Sequence, residues 1–309
     1  MTTALLPKLV TDLVAGHAAW ASTHQLLAGG AANIVISVSG PSGEYILRAY
    51  REPDVPRYRT ERAVLQRLNQ AGAPAPLVWD SGEHSPVTDA PFLLYPRLPG
   101  MTLDRAARQL PTVRLQEALT RTVEVGMGCA EAMPASHFGY LHVREPATQQ
   151  RRLSHDHDTY VAIISHHQLV ADSLLRRAHT LAKRHAAVMC VQRPQVVHPD
   201  LKPANVLVDG QEVNLLDWEL TVGGHPTQAY GGLLAEGLAD AYLAPALHRH
   251  LDSLAEPGRT AATTAGLLRT LEALSYLPAH SRYAHGRQVR LGAEELGASL
   301  TMLVDRLAP

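Results

Sequence analysis

His198-Pro199-Asp200-Leu201-Lys202-Pro203-Ala204-Asn205, followed twelve residues after the asparagine by Asp217-Trp218-Glu219, is the stretch of this chain on which its reading turns. Phosphoryl transfer needs a carboxylate to hold an incoming hydroxyl, and oxygen ligands for a Mg2+ ion that bridges nucleotide phosphates. Asp200 has the chemistry for the first task, Asn205 and Asp217 for the second. Residues 198–205 show no helical period and predict a loop. Val206-Leu207-Val208 and Val213-Asn214-Leu215-Leu216 predict two short strands, with Asp209-Gly210 as the turn between them. A strand, a tight turn and a returning strand would carry Asp217 back beside Asn205, where both face one metal. Singly, an Asp or Asn in a loop is usually a turn former. Only the joint pattern points to phosphoryl-transfer chemistry. Lys202 is placed either to reach the transferred phosphate or to stand as a solvated loop cation. Glu219 is a candidate for a second metal or for orienting a ligand water.

Composition narrows the class. A chain of 309 residues with 46% hydrophobic content suggests about two domains. We place these at 1–97, a nucleotide-binding lobe, and 98–309, a catalytic and substrate-binding lobe. Lys plus Arg number 28 against 29 for Asp plus Glu, and the net charge of -1 creates no global field for nucleic acid or an anionic membrane. Neither is an expected partner. No apolar run approaches the ~20 residues of a membrane helix, and the N-terminus carries Asp12 within its apolar stretch and lacks a basic start. A cytoplasmic location is expected, with Cys129 and Cys190 as buried thiols.

Along the chain, Leu9, Leu13 and Val14 suggest a short amphipathic helix, and a strand is expected near Gln25-Leu26-Leu27. Gly29-Gly30-Ala31-Ala32-Asn33 then leads into Ile34–Val38, a Gly40–Gly43 turn and Tyr45–Tyr50, which reads as consecutive strands. A glycine-rich loop between strands lets backbone N–H groups approach phosphates. Gly29, Gly30 and Asn33 are therefore candidate nucleotide contacts, although most such pairs are plain turns. Arg48 on the third strand would reach inner phosphates if a carboxylate held it, and Glu61, opening the next helical pattern, is the candidate. The alternative is an exposed Arg and Glu without contact. That helix should stop at Ala71-Gly72-Ala73-Pro74. Phe92–Tyr95 reads as a strand running into a Pro- and Gly-rich joint at 96–100. Thr112–Met133 and Tyr160–Val188 repeat apolar residues at three and four and predict core helices. His155-Asp156-His157-Asp158 is expected to be a solvated loop. Residues 233–309 predict further helices with turns around Pro257-Gly258 and Pro278.

HPDLKPANVLV together with LLDWE resembles the aminoglycoside phosphotransferase family, a branch of the protein-kinase-like fold that phosphorylates small molecules. The resemblance implies an α+β, bilobal architecture: an N-terminal antiparallel sheet with one helix, and a larger, mainly helical C-terminal lobe. It implies ATP or GTP with Mg2+, and transfer of the γ-phosphoryl group to a hydroxyl of a small molecule, an antibiotic in a resistance or self-resistance role. Family members carry Lys or Arg on the third strand and Glu at the head of the next helix, then a Pro-x-Pro segment like Pro74-Ala75-Pro76. The adenine is expected beside Tyr95, Pro96 and Leu98; Pro96 has no N–H, so Leu98 must donate. His198 is expected to brace the loop. Gly223-Gly224-His225-Pro226 resembles a family Gly-x-x-Pro, but the acid that usually follows is replaced by Ala229-Tyr230-Gly231-Gly232.

Asp-Leu-Lys-Pro-x-Asn is also protein-kinase wording. Against that reading stand Trp-Glu where Phe-Gly is expected, the absence of an Ala-Pro-Glu segment and a missing third glycine. A metabolite kinase of the same fold is the nearer alternative, and a non-catalytic ATP-binding module is unsupported because every named catalytic residue is present. From 220 to 309 there are 8 acids and 7 bases, a difference of one negative charge. That favours a neutral or weakly charged acceptor, such as a nucleoside or macrolide, over a polycationic aminoglycoside. A monomer or homodimer is expected.

Overall fold

Period-two alternation along the first strands builds the N-terminal sheet. The computed structural model describes residues 23–27, 33–40, 43–50, 55–84, 90–142, 157–189, 193–280 and 286–308. The expected N-terminal helix, Gly29, Gly30, His155, Asp156 and Cys190 lie outside the described residues. The chain divides into two units, Met1–Pro99 and Gly100–Pro309.

In the first unit, β1 (Thr23–Leu26), β2 (Asn33–Gly40), β3 (Gly43–Tyr50), β4 (Asp80–Gly82) and β5 (Phe92–Pro96) form one sheet in the order β1-β2-β3-β5-β4. Every neighbouring pair is antiparallel. The register puts Ile34 opposite Ala49, Ile36 opposite Leu47 and Val38 opposite Tyr45. These residues bury one face together with Phe92 and Leu94, each large apolar side chain contributing about 1.5–3 kcal/mol. Because side chains alternate, Arg48 and Tyr50 point to the other face. There α1 (Val55–Gln70) packs, with Tyr58, Glu61, Val64, Leu65 and Leu68 buried.

This helix starts six residues before Glu61, the residue expected to open it. Pro56 hides the first turn from a pattern search, yet proline is compatible with that position because its missing N–H has no intrahelical partner there. The C-terminus falls where expected. Gly72, at φ +67°, donates to the Asn69 carbonyl and Ala73 to the Leu68 carbonyl, a Schellman cap that needs the left-handed residue.

The second unit is mainly helical. Its described helices are α2 (Leu103–Gln109), α3 (Thr112–Ala132), α4 (His157–His166), α5 (Asp172–His185), α6 (Tyr230–Gly237), α7 (Ala244–Ser253), α8 (Gly258–His280) and α9 (Gly286–Leu307). Two small antiparallel sheets join them. One orders β10 (Glu212–Leu215), β9 (Val206–Asp209) and β6 (Met101–Thr102); the other orders β7 (Gly139–Tyr140), β11 (Val222–Gly224) and β8 (Gln195–Val197). The apolar α8 is central, packing on α4, α6 and α9.

Three expectations are corrected here. The pattern from Tyr160 to Val188 is two helices rather than one, broken where Gln168 takes φ +50°. His157 and Asp158 open α4 rather than a solvated loop, and the His157 ring is buried. Pro278 sits inside the last turn of α8, which runs on to His280. Among the described residues no helix is long and apolar enough to cross a membrane. Cys129 is a buried free thiol, its pKa pushed up to about 11 by burial.

Candidate active site

In the first unit, the Arg48 guanidinium lies 3.5 Å from the Glu61 carboxylate, and both side chains are almost fully buried. The Tyr50 hydroxyl donates to the same Glu61 oxygen, and the Arg48 guanidinium stands 5.9 Å from the Tyr50 ring centre. The expected pair is thus in contact rather than apart on the surface. A cation and an anion buried together survive loss of hydration only by holding each other. Asn33, at the start of β2, is buried and registers with Tyr50. Tyr95 is buried at the end of β5, opposite Ile46; Pro96 pairs with Tyr45, and Leu98 follows two residues on, partly exposed.

In the second unit, the loop 198–205 emerges from β8 and ends in a 3-10 turn, Pro203–Asn205. The β9–β10 hairpin forms with Asp209 opposite Glu212 and Gly210 at φ +60° in the turn. It returns the chain so that the Leu216 N–H donates to the Asn205 carbonyl at 2.8 Å. Asp217 follows immediately, in the left-handed region at φ +68°, which asparagine and aspartate tolerate better than other side chains. The hairpin therefore brings Asp217 next to Asn205 along the backbone, as the spacing suggested.

The loop is held from several sides. The His198 Nε2–H donates to the Leu216 carbonyl at 2.7 Å, and its ring packs, tilted by 55°, with its centre 4.6 Å from that of the buried Trp218. Burial lowers the His198 pKa, against the pull of the Leu216 carbonyl and of Asp200, so the imidazole is neutral and braces the hairpin. The Asn205 amide nitrogen donates to the Asp200 carbonyl at 2.9 Å and lies 3.4 Å from Asp200 Oδ2. With its donors committed there, the amide presents its oxygen in the other direction. Lys202 Nζ stands 3.5 Å from Asp200 Oδ2. Burial disfavours the lysine charge, yet Asp200, Glu236 and Asp217 outweigh it and hold the pKa above the ordinary value. Glu219 is buried in the 3-10 turn Trp218–Leu220.

A residue that the sequence reading left in a charge tally belongs to this cluster. Arg269, from α8, donates through Nη2 to Asp200 Oδ1 at 2.5 Å and through Nη1 to Glu272 Oε2 at 2.8 Å. Glu272 Oε1 accepts from the Tyr140 hydroxyl at 2.6 Å, and the Tyr160 hydroxyl lies 3.4 Å away. Burial alone would weaken the Arg269 charge, but Glu272 and Asp200 raise its pKa well above the ordinary value. A signal was present: Arg269 and Glu272 sit within Thr260–Leu274, a stretch of α8 that is otherwise Ala, Thr and Leu with one glycine, and a helical stretch without other charges is buried, so its charges must be paired. The missing acid after Pro226 is also accounted for. His225 caps the 3-10 turn Pro226–Ala229 by accepting from the Thr227 N–H, while Gln228 accepts from the His225 N–H at 3.0 Å.

Helix α6 approaches this loop closely. A Cβ on Gly232 would stand 2.7–2.9 Å from the backbone of Leu201, the neighbour of Asp200. Of the glycine pair that replaces the absent acid, Gly232 lets α6 lie against the loop, while Gly231 faces Arg269 on α8.

Fold and loop together are those of a kinase-like phosphotransferase, a class that moves a phosphoryl group onto a hydroxyl. Residues 23–263 match the sequence profile of the phosphotransferase enzyme family, APH, and the chain belongs to that family. Among solved structures, it is similar to a thermostable mutant of aminoglycoside phosphotransferase APH(4)-Ia in a ternary complex with ADP and hygromycin B. That likeness is at 20% identity and TM-score 0.68, over 94% of this chain and 98% of that one. It is also similar to the GDP complex of aminoglycoside 2'-phosphotransferase-IIIa, at 16% identity and TM-score 0.70, over 98% and 99% of the two chains. No curated protein matches the sequence.

Proposed function

We propose that this enzyme transfers the γ-phosphoryl group of ATP or GTP to a hydroxyl of a small molecule, an antibiotic of neutral or weakly charged character. Asp200 orients the acceptor hydroxyl. As the acceptor oxygen bonds to the γ-phosphorus, the bond from phosphorus to the β-γ bridging oxygen breaks and leaves its electron pair on the nucleoside diphosphate. The acceptor proton passes to Asp200 late in the step. Lys202 steadies charge on the transferred group, and His198 keeps the loop in place. In the first unit Arg48, held by Glu61, grips nucleotide phosphates; its fork can do this in place of lysine. Gly29, Gly30 and Asn33 cover the phosphates, and Tyr95, Pro96 and Leu98 receive the base.

Asn205 and Asp217 would hold Mg2+, and Glu219 would serve a second metal or orient a ligand water. Their donor set fits, being a carboxylate and an amide oxygen turned outward by its committed nitrogen. Mg2+ bound there supplies neutralisation of charge on the phosphate oxygens.

The observation that carries the reading is the Asp200 loop, braced by His198 and tied to Asn205. The acceptor class rests on charge. Of the eight acids between 220 and 309, Asp240, Asp252, Glu256, Glu272 and Asp305 lie in ion pairs with arginine. Acids spent in that way add little to an attractive field for a polycation. The relatives solved with hygromycin B, or with GDP and kanamycin, favour an aminoglycoside as the second reading. The test is a panel of nucleosides, macrolides, hygromycin B and kanamycin incubated with Mg2+ and ATP or GTP, with product masses determined. Saturation by kanamycin at low concentration, with uncharged compounds inert, would overturn the preference.

A further inference from the structure

Both oxygens of Asp200 are engaged, but unequally. Oδ1 takes a short charged bond from Arg269 at 2.5 Å, whereas Oδ2 has only the longer approaches of Asn205 at 3.4 Å and Lys202 at 3.5 Å. Oδ2 is therefore the oxygen on the side of the candidate metal ligand and phosphate contact. Oδ1 is the one turned away and clamped. Arg269 is in turn fixed at its other nitrogen by Glu272, and Glu272 by the hydroxyl of Tyr140. Asp200, Arg269 and Glu272 are each between 10% and 14% exposed at the side chain. The chain of contacts thus runs from β7 through α8 to the loop, with little freedom at any link.

We propose that Arg269 is a positioning residue for phosphoryl transfer: by holding Oδ1 of Asp200 it leaves Oδ2 aimed at the acceptor hydroxyl, with Glu272 holding Arg269 in that pose. This rests on the assignment of Asp200 under Proposed function. A carboxylate free to rotate would spend much of its time with neither oxygen aligned, and misplacement of a catalytic group by about 1 Å costs on the order of 100-fold in rate. The guanidinium suits the task because its planar fork reaches two carboxylates at once, which an ammonium cannot do in the same plane.

The experiment compares wild type, Arg269→Ala, Asp200→Asn and the double variant. The acceptor is whichever of kanamycin, hygromycin B, a macrolide or a nucleoside the wild type phosphorylates, or water, read as phosphate release, where it phosphorylates none. Arg269→Ala is expected to lower kcat about 100-fold, with the acceptor KM moving by less than about threefold. Guanidinium chloride at low millimolar concentration is expected to restore part of the lost rate. In the Asp200→Asn background the same change is expected to cost less than about threefold, because a clamp on a carboxylate that no longer acts has nothing to position. A merely structural ion pair gives the opposite: equal losses in both backgrounds and no rescue. Either that pattern or an undiminished kcat in Arg269→Ala overturns the proposal. Should Arg269→Ala fail to fold, Glu272→Gln, which keeps the shape and frees Arg269, is expected to lower kcat roughly tenfold with unchanged KM; no loss overturns the proposal. Full activity in Asp200→Asn would instead sink the assignment of Asp200 itself, and a wild type that turns over neither acceptor nor water would sink both.

Discussion

Replacing Gly232 by alanine should separate stability from activity in this enzyme. The new methyl would stand 2.7 Å from the Leu201 backbone, and relaxing that to an ordinary 3.4 Å contact requires about 0.7 Å of relative movement. Neither neighbour is a flexible side-chain tip: one is helix α6, the other the loop carrying Asp200. Overpacking of this kind costs about 1–3 kcal/mol, while exchanging glycine for alanine within a helix returns about 1 kcal/mol. Net destabilisation should therefore be about 0–2 kcal/mol. The loop is tied to its surroundings by Asn205, His198 and Arg269, so the displacement falls on Asp200, and 0.7 Å there should lower kcat roughly 10- to 100-fold. Urea unfolding and single-turnover product formation, measured on the same preparations, give the two numbers. A variant with wild-type kcat would refute the argument that α6 and the loop are packed to contact. So would a loss of activity fully explained by unfolding.

Glu61→Gln strips the buried Arg48 of its counter-charge. Breaking such a pair costs about 3–5 kcal/mol, so urea midpoints should fall and the nucleotide KM should rise at least about tenfold; an unaltered midpoint would mean that the pair is not isolated from water. Asp217→Asn removes the charge of the proposed metal ligand, and kcat should drop about 100-fold or more with saturation displaced to higher Mg2+; unchanged Mg2+ dependence would remove Asp217 from the proposed metal site. His157 gives a pH signature. Burial pulls its pKa from 6.5 to about 4, with Glu272 and Asp158 acting to raise it and His179 and Lys183 to lower it. Between those values the unfolded chain takes up a proton that the folded one refuses, so stability is full above about pH 6.5 and falls by up to ~3 kcal/mol toward pH 4. His157→Phe should flatten that part of the profile, and an equally steep profile in the variant would contradict the assignment.

How much of this could be read from the chain depends on how local each feature is. The loop, the hairpin and the two candidate metal ligands occupy residues 198–217, where turn chemistry and strand pattern act within a few residues of one another. The loop and the hairpin appear as expected in the fold, and the hairpin ties Leu216, the residue before Asp217, to Asn205. Arg48 and Glu61 were legible as a strand cation and a helix acid, although Pro56 concealed where the helix begins. Arg269 lies 69 residues from Asp200, and no local rule connects them; the pairing exists because α8 is buried and its charges must find partners within the unit. Counting those charges as though exposed missed it. The cap at His225 and Gln228 was hidden differently, since neither residue type is a common cap and only the turn geometry shows them acting as one.

Incubation of wild type and Asp200→Ala with ATP, Mg2+ and the acceptor panel, followed by mass measurement of the products, tests the central claim most directly. The account predicts a product heavier by one phosphoryl group with wild type, and none above background with the variant. Phosphorylated product at an undiminished rate from Asp200→Ala would contradict it.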